Sequence, residues 1–440
     1  MSDLTIRPFD RPFAVTMSPP GSKSLTNRAL VLAALADGPG RLSNVLFADD
    51  TLVMLDGLGR LGFEVSVDRP ARAVGITGTG GAIPAAAADL FCGNSGTTIR
   101  FLTALCTLGR AGGCYRLDGV PRMRQRPIGD LVGLLRNIGG RVEYPESEGF
   151  PPVDVLGTAR GLAGGIVRFG RSQSSQFLSA VLQVAPYARH EVKIDLEPQQ
   201  TSWPYVAMTM RLMDQFGLTP DLIRDELTGE PRQVIVERGR YRPTDYAIEP
   251  DASNATYFLA AAAIHPGSKV TIEGLGRRSL QGDVGFADVL HRMGADLIFG
   301  GDFITVMGTD RLEGIDVDLS AMPDTAQTLA VAALFADGPT TIRGLHTLRV
   351  KETDRVAALA NELAKLGAGV TVEGDDLMIE PPERGRLRAA EIDTYDDHRM
   401  AMSFALAGTK SAGVRIKDAE CVNKTYPEYF QDQEKLRPAS

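Results

Sequence analysis

Leu55-Asp56-Gly57-Leu58-Gly59-Arg60-Leu61-Gly62-Phe63-Glu64-Val65 reads as a helix that stops on a glycine and turns into a strand. Glycine suits that stop because it accepts the left-handed C-cap conformation without a Cβ penalty. The same signal returns down the chain. Leu131 to Gly139 precedes Gly140-Arg141-Val142, Leu212 to Gly217 precedes Leu218, Val289 to Gly294 precedes Ala295-Asp296-Leu297, and Leu359 to Gly367 precedes Ala368-Gly369-Val370. The glycines 62, 139, 217, 294 and 367 are 77, 78, 77 and 73 residues apart. A period that regular marks a repeated structural unit.

A second, more apolar helix keeps the same beat, at 26–37, 97–108, 175–185, 254–264, 326–336 and 398–407. Each copy is rich in Ala or Leu nearly all round, which predicts burial on every side. Pairing each with an amphipathic helix and short Val/Ile strands gives six βαβ-type units. Three fall in 20–245 and three in 246–440, with Arg242-Pro243-Thr244-Asp245 as a polar connector. Residues 1–19 hold a possible hairpin, Leu4–Arg7 with Ala14–Met17, that would supply the second domain's missing opening strand.

At 440 residues the chain exceeds what one core organises, consistent with two domains. A composition of 43% hydrophobic and 23% charged residues is that of a soluble globular protein. The net charge of −8 argues against a nucleic-acid surface, whose affinity rests on neutralising phosphates. Cys92, Cys106, Cys114 and Cys421 have no metal-ligand spacing and read as reduced thiols of a cytoplasmic protein. The five histidines are scattered, no apolar run reaches membrane-spanning length, and the N-terminus lacks a signal-peptide pattern. No metal, membrane or nucleic acid is expected.

The starts of the buried helices are where the polar residues gather. Pro20-Gly21-Ser22-Lys23-Ser24 with Asn27-Arg28 opens the first, and Cys92-Gly93-Asn94-Ser95-Gly96-Thr97 the second. Arg171-Ser172-Gln173-Ser174-Ser175-Gln176 opens the third, Pro323-Asp324-Thr325 the fifth and Asp396-Asp397-His398-Arg399 the sixth. The fourth, Pro250-Asp251-Ala252-Ser253-Asn254, reads as plain capping. Free N–H groups and the partial positive charge of a helix start attract anions. The basic run Pro121-Arg122-Met123-Arg124-Gln125-Arg126-Pro127, the segment Thr347 to Arg355 and Lys424 add more charge. Singly, each is an ordinary cap or a solvated face. Converging, they would bind dianionic substrates in a cleft between the domains and supply acid/base groups.

These motifs together resemble the 5-enolpyruvylshikimate-3-phosphate synthase family: Pro20-Gly21-Ser22-Lys23-Ser24, Gly93-Asn94-x-Gly96-Thr97, Pro121-Arg122-Met123, Ser174-Ser175-Gln176-Phe177, Arg349-Val350-Lys351-Glu352-Thr353-Asp354-Arg355 and Asp397-His398-Arg399-Met400-Ala401. The resemblance runs in order from about residue 5 to 430. It implies an α/β fold of two similar domains, each of three βαβαββ repeats, the inverted α/β barrel-like fold of enolpyruvyl transferases. It implies transfer of the enolpyruvyl group of phosphoenolpyruvate to the 5-hydroxyl of shikimate 3-phosphate with release of phosphate, by a cytoplasmic monomer needing no cofactor. The carried-over shikimate 3-phosphate shell is Lys23, Ser24, Arg28, Ser174, Ser175, Gln176, Ser202, Tyr205, Asp324, Thr347 and Lys351. The phosphoenolpyruvate shell is Lys23, Asn94, Gly96, Arg126, Gln176, Arg355, Arg399 and Lys424. Asp324 takes the place of the base, and Glu352, with Lys23, that of the acid.

Three positions depart from the family pattern. Thr347 stands where Asn is common, Ser95 where Ala is common and Phe101 where Pro is common. A bulky Phe101 is expected to shift its helix and with it Gly96, against which the family's inhibitor glyphosate lies. Two rival readings carry less of the chain. A UDP-N-acetylglucosamine enolpyruvyl transferase wants a loop cysteine where this chain has Pro121 and an Asn where it has Ser24. A nucleic-acid end-processing enzyme on a related repeat conflicts with the acidic charge.

Overall fold

The computed structural model describes residues 3–438. The chain divides into two compact units, one of Gly21–Ile248 and one that joins the N-terminal segment up to Pro20 to everything from Glu249. The crossings lie at Pro20/Gly21 and Ile248/Glu249. Strand Tyr246–Ala247 still pairs with Leu42 and Ser43, so the first unit keeps the chain beyond Asp245.

The unit of Gly21–Ile248 contains three four-stranded sheets with one repeated pattern. Ala87–Phe91 runs parallel to Cys114–Asp118, which is antiparallel to Val153–Leu156, which is antiparallel to Arg141–Glu143. Gly165–Phe169, Val192–Leu196, Pro231–Val236 and Asp221–Arg224 repeat that order of directions. So do Tyr246–Ala247, Pro39–Ser43, Ala73–Thr77 and Glu64–Asp68.

The other unit, described by itself, has two such sheets. Ala14–Met17 lies parallel to Lys269–Glu273, followed by Phe303–Met307 and Asp296–Phe299. Asp316–Asp318, Thr340–Arg343, Asp376–Glu380 and Gly369–Glu373 form the second. A further sheet has three strands, with Leu4–Thr5 antiparallel to Val414–Ile416 and that strand parallel to Ala390–Ile392, and a small one pairs Leu312–Glu313 with Ala336–Asp337.

Leu4–Thr5 and Ala14–Met17 therefore do not form the hairpin that the sequence suggests. They enter different sheets. Between them Ile6 donates its N–H to Val414 O and Phe9 to Thr409 O, so the segment is committed to the end of helix His398–Lys410 before it can turn back.

The helices are apolar all round for a visible reason. All thirteen residues of Ala252–Ile264 are buried, and so is every residue of Gly96–Cys106. Helix Lys23–Leu35 begins earlier than its apolar run indicates because Ser22 caps it, accepting from Leu25 N, and thereby brings Lys23 inside the first turn. Ser175–Val184 and His398–Lys410 complete four long copies besides the one at 252. The copy at 326 is short, Ala326–Ala332, and continues as a 3-10 turn, Ala333–Phe335. The five recurrent glycines have φ of 87°, 97°, 85°, 109° and 98°, the left-handed geometry that their position after a helix requires. Among the described residues no helix is long and apolar enough to cross a membrane.

Candidate functional site

The charged residues singled out in the sequence fall into two clusters, one within each unit. In the unit of Gly21–Ile248 the cluster sits at helix starts. Lys23 Nζ stands 3.5 Å from Asp50 Oδ2, both side chains nearly inaccessible. The backbone carbonyl of Asp50 accepts from Ser95 Oγ at 3.4 Å and Thr98 Oγ1 at 3.1 Å, tying the start of helix Asp49–Arg60 to that of Gly96–Cys106. Ser95, one of the departures, thus caps its helix and braces a neighbour.

Arg126 arrives from the basic loop and donates from Nη1 to Asn94 O at 2.9 Å and Asn94 Oδ1 at 3.3 Å. Gly96 makes room for it: a Cβ there would stand 2.5 Å from Arg126 Nη2. The loop itself is clamped by Arg124, whose Nε donates to Asp118 Oδ1 at 2.9 Å and whose Nη1 donates to Glu146 Oε2 at 3.0 Å. Although partial desolvation works the other way, the Arg124 contacts and the Gly119 N–H hold the Asp118 carboxyl below its ordinary value.

Arg100 joins segments far apart in sequence. It donates to Gln176 Oε1 at 2.6 Å, Ser174 Oγ at 3.3 Å and Pro127 O at 3.2 Å, with its guanidinium 4.8 Å from the Phe177 ring centre. Ser174 caps helix Ser175–Val184, and Ser175 is its buried first residue. Ser202 precedes helix Trp203–Gln215 with φ of 49°, a strained backbone for a serine, and Tyr205 lies in that helix's first turn. Arg28 is 1% exposed and bonds only neutral oxygens: Thr209 Oγ1 at 2.7 Å, Ser24 O at 3.1 Å, Ser179 Oγ at 3.2 Å and Tyr205 O at 3.4 Å. Burial without a carboxylate lowers the pKa of this guanidinium.

The second cluster is built around Asp324. Its Oδ1 is 3.4 Å from Lys351 Nζ and 3.2 Å from Arg355 Nη1, and its Oδ2 is 2.9 Å from Arg399 Nη2. Arg355 also reaches Asp397 at 2.7 Å and Glu352 at 2.9 Å. Burial alone would push its pKa down, but Asp397, Glu352 and Asp324 outweigh that and hold it above the usual value. Lys424 Nζ lies 4.0 Å from Glu352 Oε1. Arg399 is anchored by Tyr257 OH at 3.3 Å. Asp397 caps helix His398–Lys410 through Arg399 N, and the two residues before it, Tyr395 and Asp396, have φ of 56° and 54°. Two consecutive non-glycine residues in that region store strain at the helix start that carries Arg399. Thr347 is buried on the 3-10 turn His346–Val350, its Oγ1 without a hydrogen-bond partner among the described residues.

Four partners carried no role in the sequence reading. Asp50 follows Asp49 at an ordinary helix start, and nothing local marks it as the counter-ion of Lys23. Arg100, Asp397 and Tyr257 act through contacts 74, 42 and 142 residues distant in sequence, where no periodicity points. Two cavities of about 680 and about 650 Å³ lie elsewhere, near Phe335 and Lys410 in one unit and near Tyr187 and Arg240 in the other, and contain none of these residues. Cys114 lies in a strand rather than on the loop that carries Arg126. Among the described residues no group of His, Cys, Asp and Glu is arranged to hold a metal ion.

A family model, EPSP synthase (3-phosphoshikimate 1-carboxyvinyltransferase), matches residues 11–433. A curated 3-phosphoshikimate 1-carboxyvinyltransferase of Paraburkholderia phymatum is 48% identical over 439 residues, covering 98% of each chain. That of Trichormus variabilis is 43% identical, again over 98% of each. A solved EPSP synthase from Acinetobacter baumannii superposes with a TM-score of 0.81 at 27% identity, covering 99% of this chain and 98% of that one. The enolpyruvyl transferase NikO from Streptomyces tendae shares the fold, with a TM-score of 0.74 at 20% identity over 99% and 97% of the two chains.

Proposed function

This chain belongs to the EPSP synthase family, and we propose that its two charged clusters carry out that enzyme's reaction. The enolpyruvyl group of phosphoenolpyruvate is transferred to the 5-hydroxyl of shikimate 3-phosphate and phosphate is released, a step of aromatic amino-acid biosynthesis. The observation that carries the assignment of roles is the Asp324 carboxylate, shared among Lys351, Arg355 and Arg399.

Both substrates are anionic. Lys23, Arg28, Ser174, Ser175, Gln176, Ser202, Tyr205, Thr347 and Lys351, with Ser24, take the phosphate, carboxylate and hydroxyls of shikimate 3-phosphate. Lys23, Asn94, Gly96, Arg126, Gln176, Arg355, Arg399 and Lys424 take phosphoenolpyruvate. Asp324 accepts the proton of the 5-hydroxyl as its oxygen bonds to C2 of phosphoenolpyruvate, and Glu352, with Lys23, delivers a proton to the CH₂. The C2–O bond to phosphate then breaks, phosphate leaves with the electron pair, and loss of a methyl proton restores the double bond. In the free chain both oxygens of Asp324 contact cations. A substrate anion that draws Arg399 to itself loosens the hold on Oδ2 and favours its taking the hydroxyl proton, so binding and base activation are coupled.

The free thiols of Cys92, Cys106, Cys114 and Cys421 fit a reducing compartment such as the cytoplasm, and the monomeric state is carried over from the family resemblance. The direct test is phosphate release with both substrates present against each alone. Release only with both is expected; none with both would defeat the reading.

A further inference from the structure

Arg28 is a buried cation whose four hydrogen bonds all go to hydroxyl and carbonyl oxygens. No carboxylate pairs with it among the described residues. What does face it is an aromatic ring: Phe101, itself 1% exposed, has its centroid 5.1 Å from the Arg28 guanidinium carbon. The next repeat makes a similar pair, Arg100 over Phe177 at 4.8 Å. In each case the arginine of one buried helix lies against a phenylalanine of the next. A ring face carries partial negative charge and attracts a guanidinium most strongly where water is excluded.

We infer that Phe101 is a positioning residue for shikimate 3-phosphate: its ring face stands in for the missing counter-ion of Arg28, holding the guanidinium charged and oriented for an anionic group of that substrate. The inference rests on the assignment of Arg28 to the shikimate 3-phosphate shell. A guanidinium has five N–H donors, and four bonds fix its plane while leaving one donor for a ligand. Hydroxyls and carbonyls orient the group but do little to offset its charge, which burial penalises. The ring does both without adding an acid that would repel the substrate.

The test replaces Phe101 site-specifically with 4-fluoro-, 3,5-difluoro- and 3,4,5-trifluorophenylalanine, which weaken the negative ring face at nearly constant volume. Calorimetric affinity for shikimate 3-phosphate is measured alongside kcat and KM. The dissociation constant is expected to rise stepwise with fluorine number, to about tenfold for the trifluoro ring. The kcat, the KM for phosphoenolpyruvate and the melting temperature should stay nearly constant. Phe101→Leu should weaken shikimate 3-phosphate binding by about tenfold or more. A flat fluorine series overturns the inference. Arg28→Met serves as the separate control: if it binds shikimate 3-phosphate as tightly as the parent, the Arg28 assignment falls. If Arg28→Met loses binding while the fluorine series is flat, only the role of Phe101 falls.

Discussion

Arg28 and Arg355 are both 1% exposed, yet one unit surrounds its arginine with neutral oxygens and a ring while the other surrounds it with three carboxylates. The contrast extends to their neighbours. In the first cluster Lys23 contacts Asp50 while Arg28, Arg100 and Arg126 bond neutral oxygens, whereas Lys351, Arg355, Arg399 and Lys424 contact Asp324, Glu352 and Asp397. The first arrangement gives Arg28 no carboxylate among the described residues. The second is nearly neutral by itself, which suits groups that must exchange protons rather than only hold anions. The shifts run in opposite directions accordingly, Arg28 downward and Arg355 upward.

That difference can be broken in graded ways. The largest effect belongs to Asp324→Ala, which should lower kcat by a factor on the order of 10² to 10⁴ with little change in KM, as steady-state kinetics would show. A variant that raised KM alone would remove Asp324 from the base role. Next, Arg355→Met leaves the buried Asp397 and the largely buried Asp324 and Glu352 without their shared cation, and denaturant titration should show a loss of about 3–5 kcal/mol. A loss below about 1 kcal/mol would mean that Lys351, Arg399 and Lys424 neutralise the acids unaided.

The smallest effect concerns the clamp on the basic loop. Asp118 has a depressed folded-state pKa, so its contribution is present above the unfolded value near 3.8 and fades as pH falls through the lower folded value. Asp118 and Arg124 are partly exposed, which limits the gain to about 1 kcal/mol or less. Asp118→Asn should melt slightly below the parent at pH 7, and the gap should close in strong acid. A gap that persists at low pH would assign the effect to packing instead.

The comparison also shows where sequence suffices. The six buried helices were legible because no face of them is polar, and the helix-ending glycines because a left-handed stop admits little else. The gathering of charged and polar residues at those helix starts was legible for the same local reason. The division of labour between clusters was not. It depends on Asp50 reaching Lys23, on Asp397 gripping Arg355 while it caps its helix, and on Phe101 lying under Arg28, all contacts between residues that share no local pattern. Phe101 is wholly buried against a cation, a contact that its bulk does not indicate from sequence. The N-terminal strands misled for a related reason, since their partners lie in strands Lys269–Glu273 and Val414–Ile416 rather than in each other.

On the proposed reading Arg28 has no carboxylate partner, and only neutral oxygens and the Phe101 ring face offset its charge until substrate arrives. Thermal unfolding of Arg28→Met, with and without shikimate 3-phosphate, tests it most directly. Thr209 Oγ1 and Ser179 Oγ are 3.0 Å apart and bond each other, so removing the guanidinium leaves them a partner. The ligand-free variant should be at least as stable as the parent, to within about 1 kcal/mol, and should gain no stability from shikimate 3-phosphate. A variant about 3 kcal/mol less stable than the parent, yet still stabilised by the ligand, would contradict it.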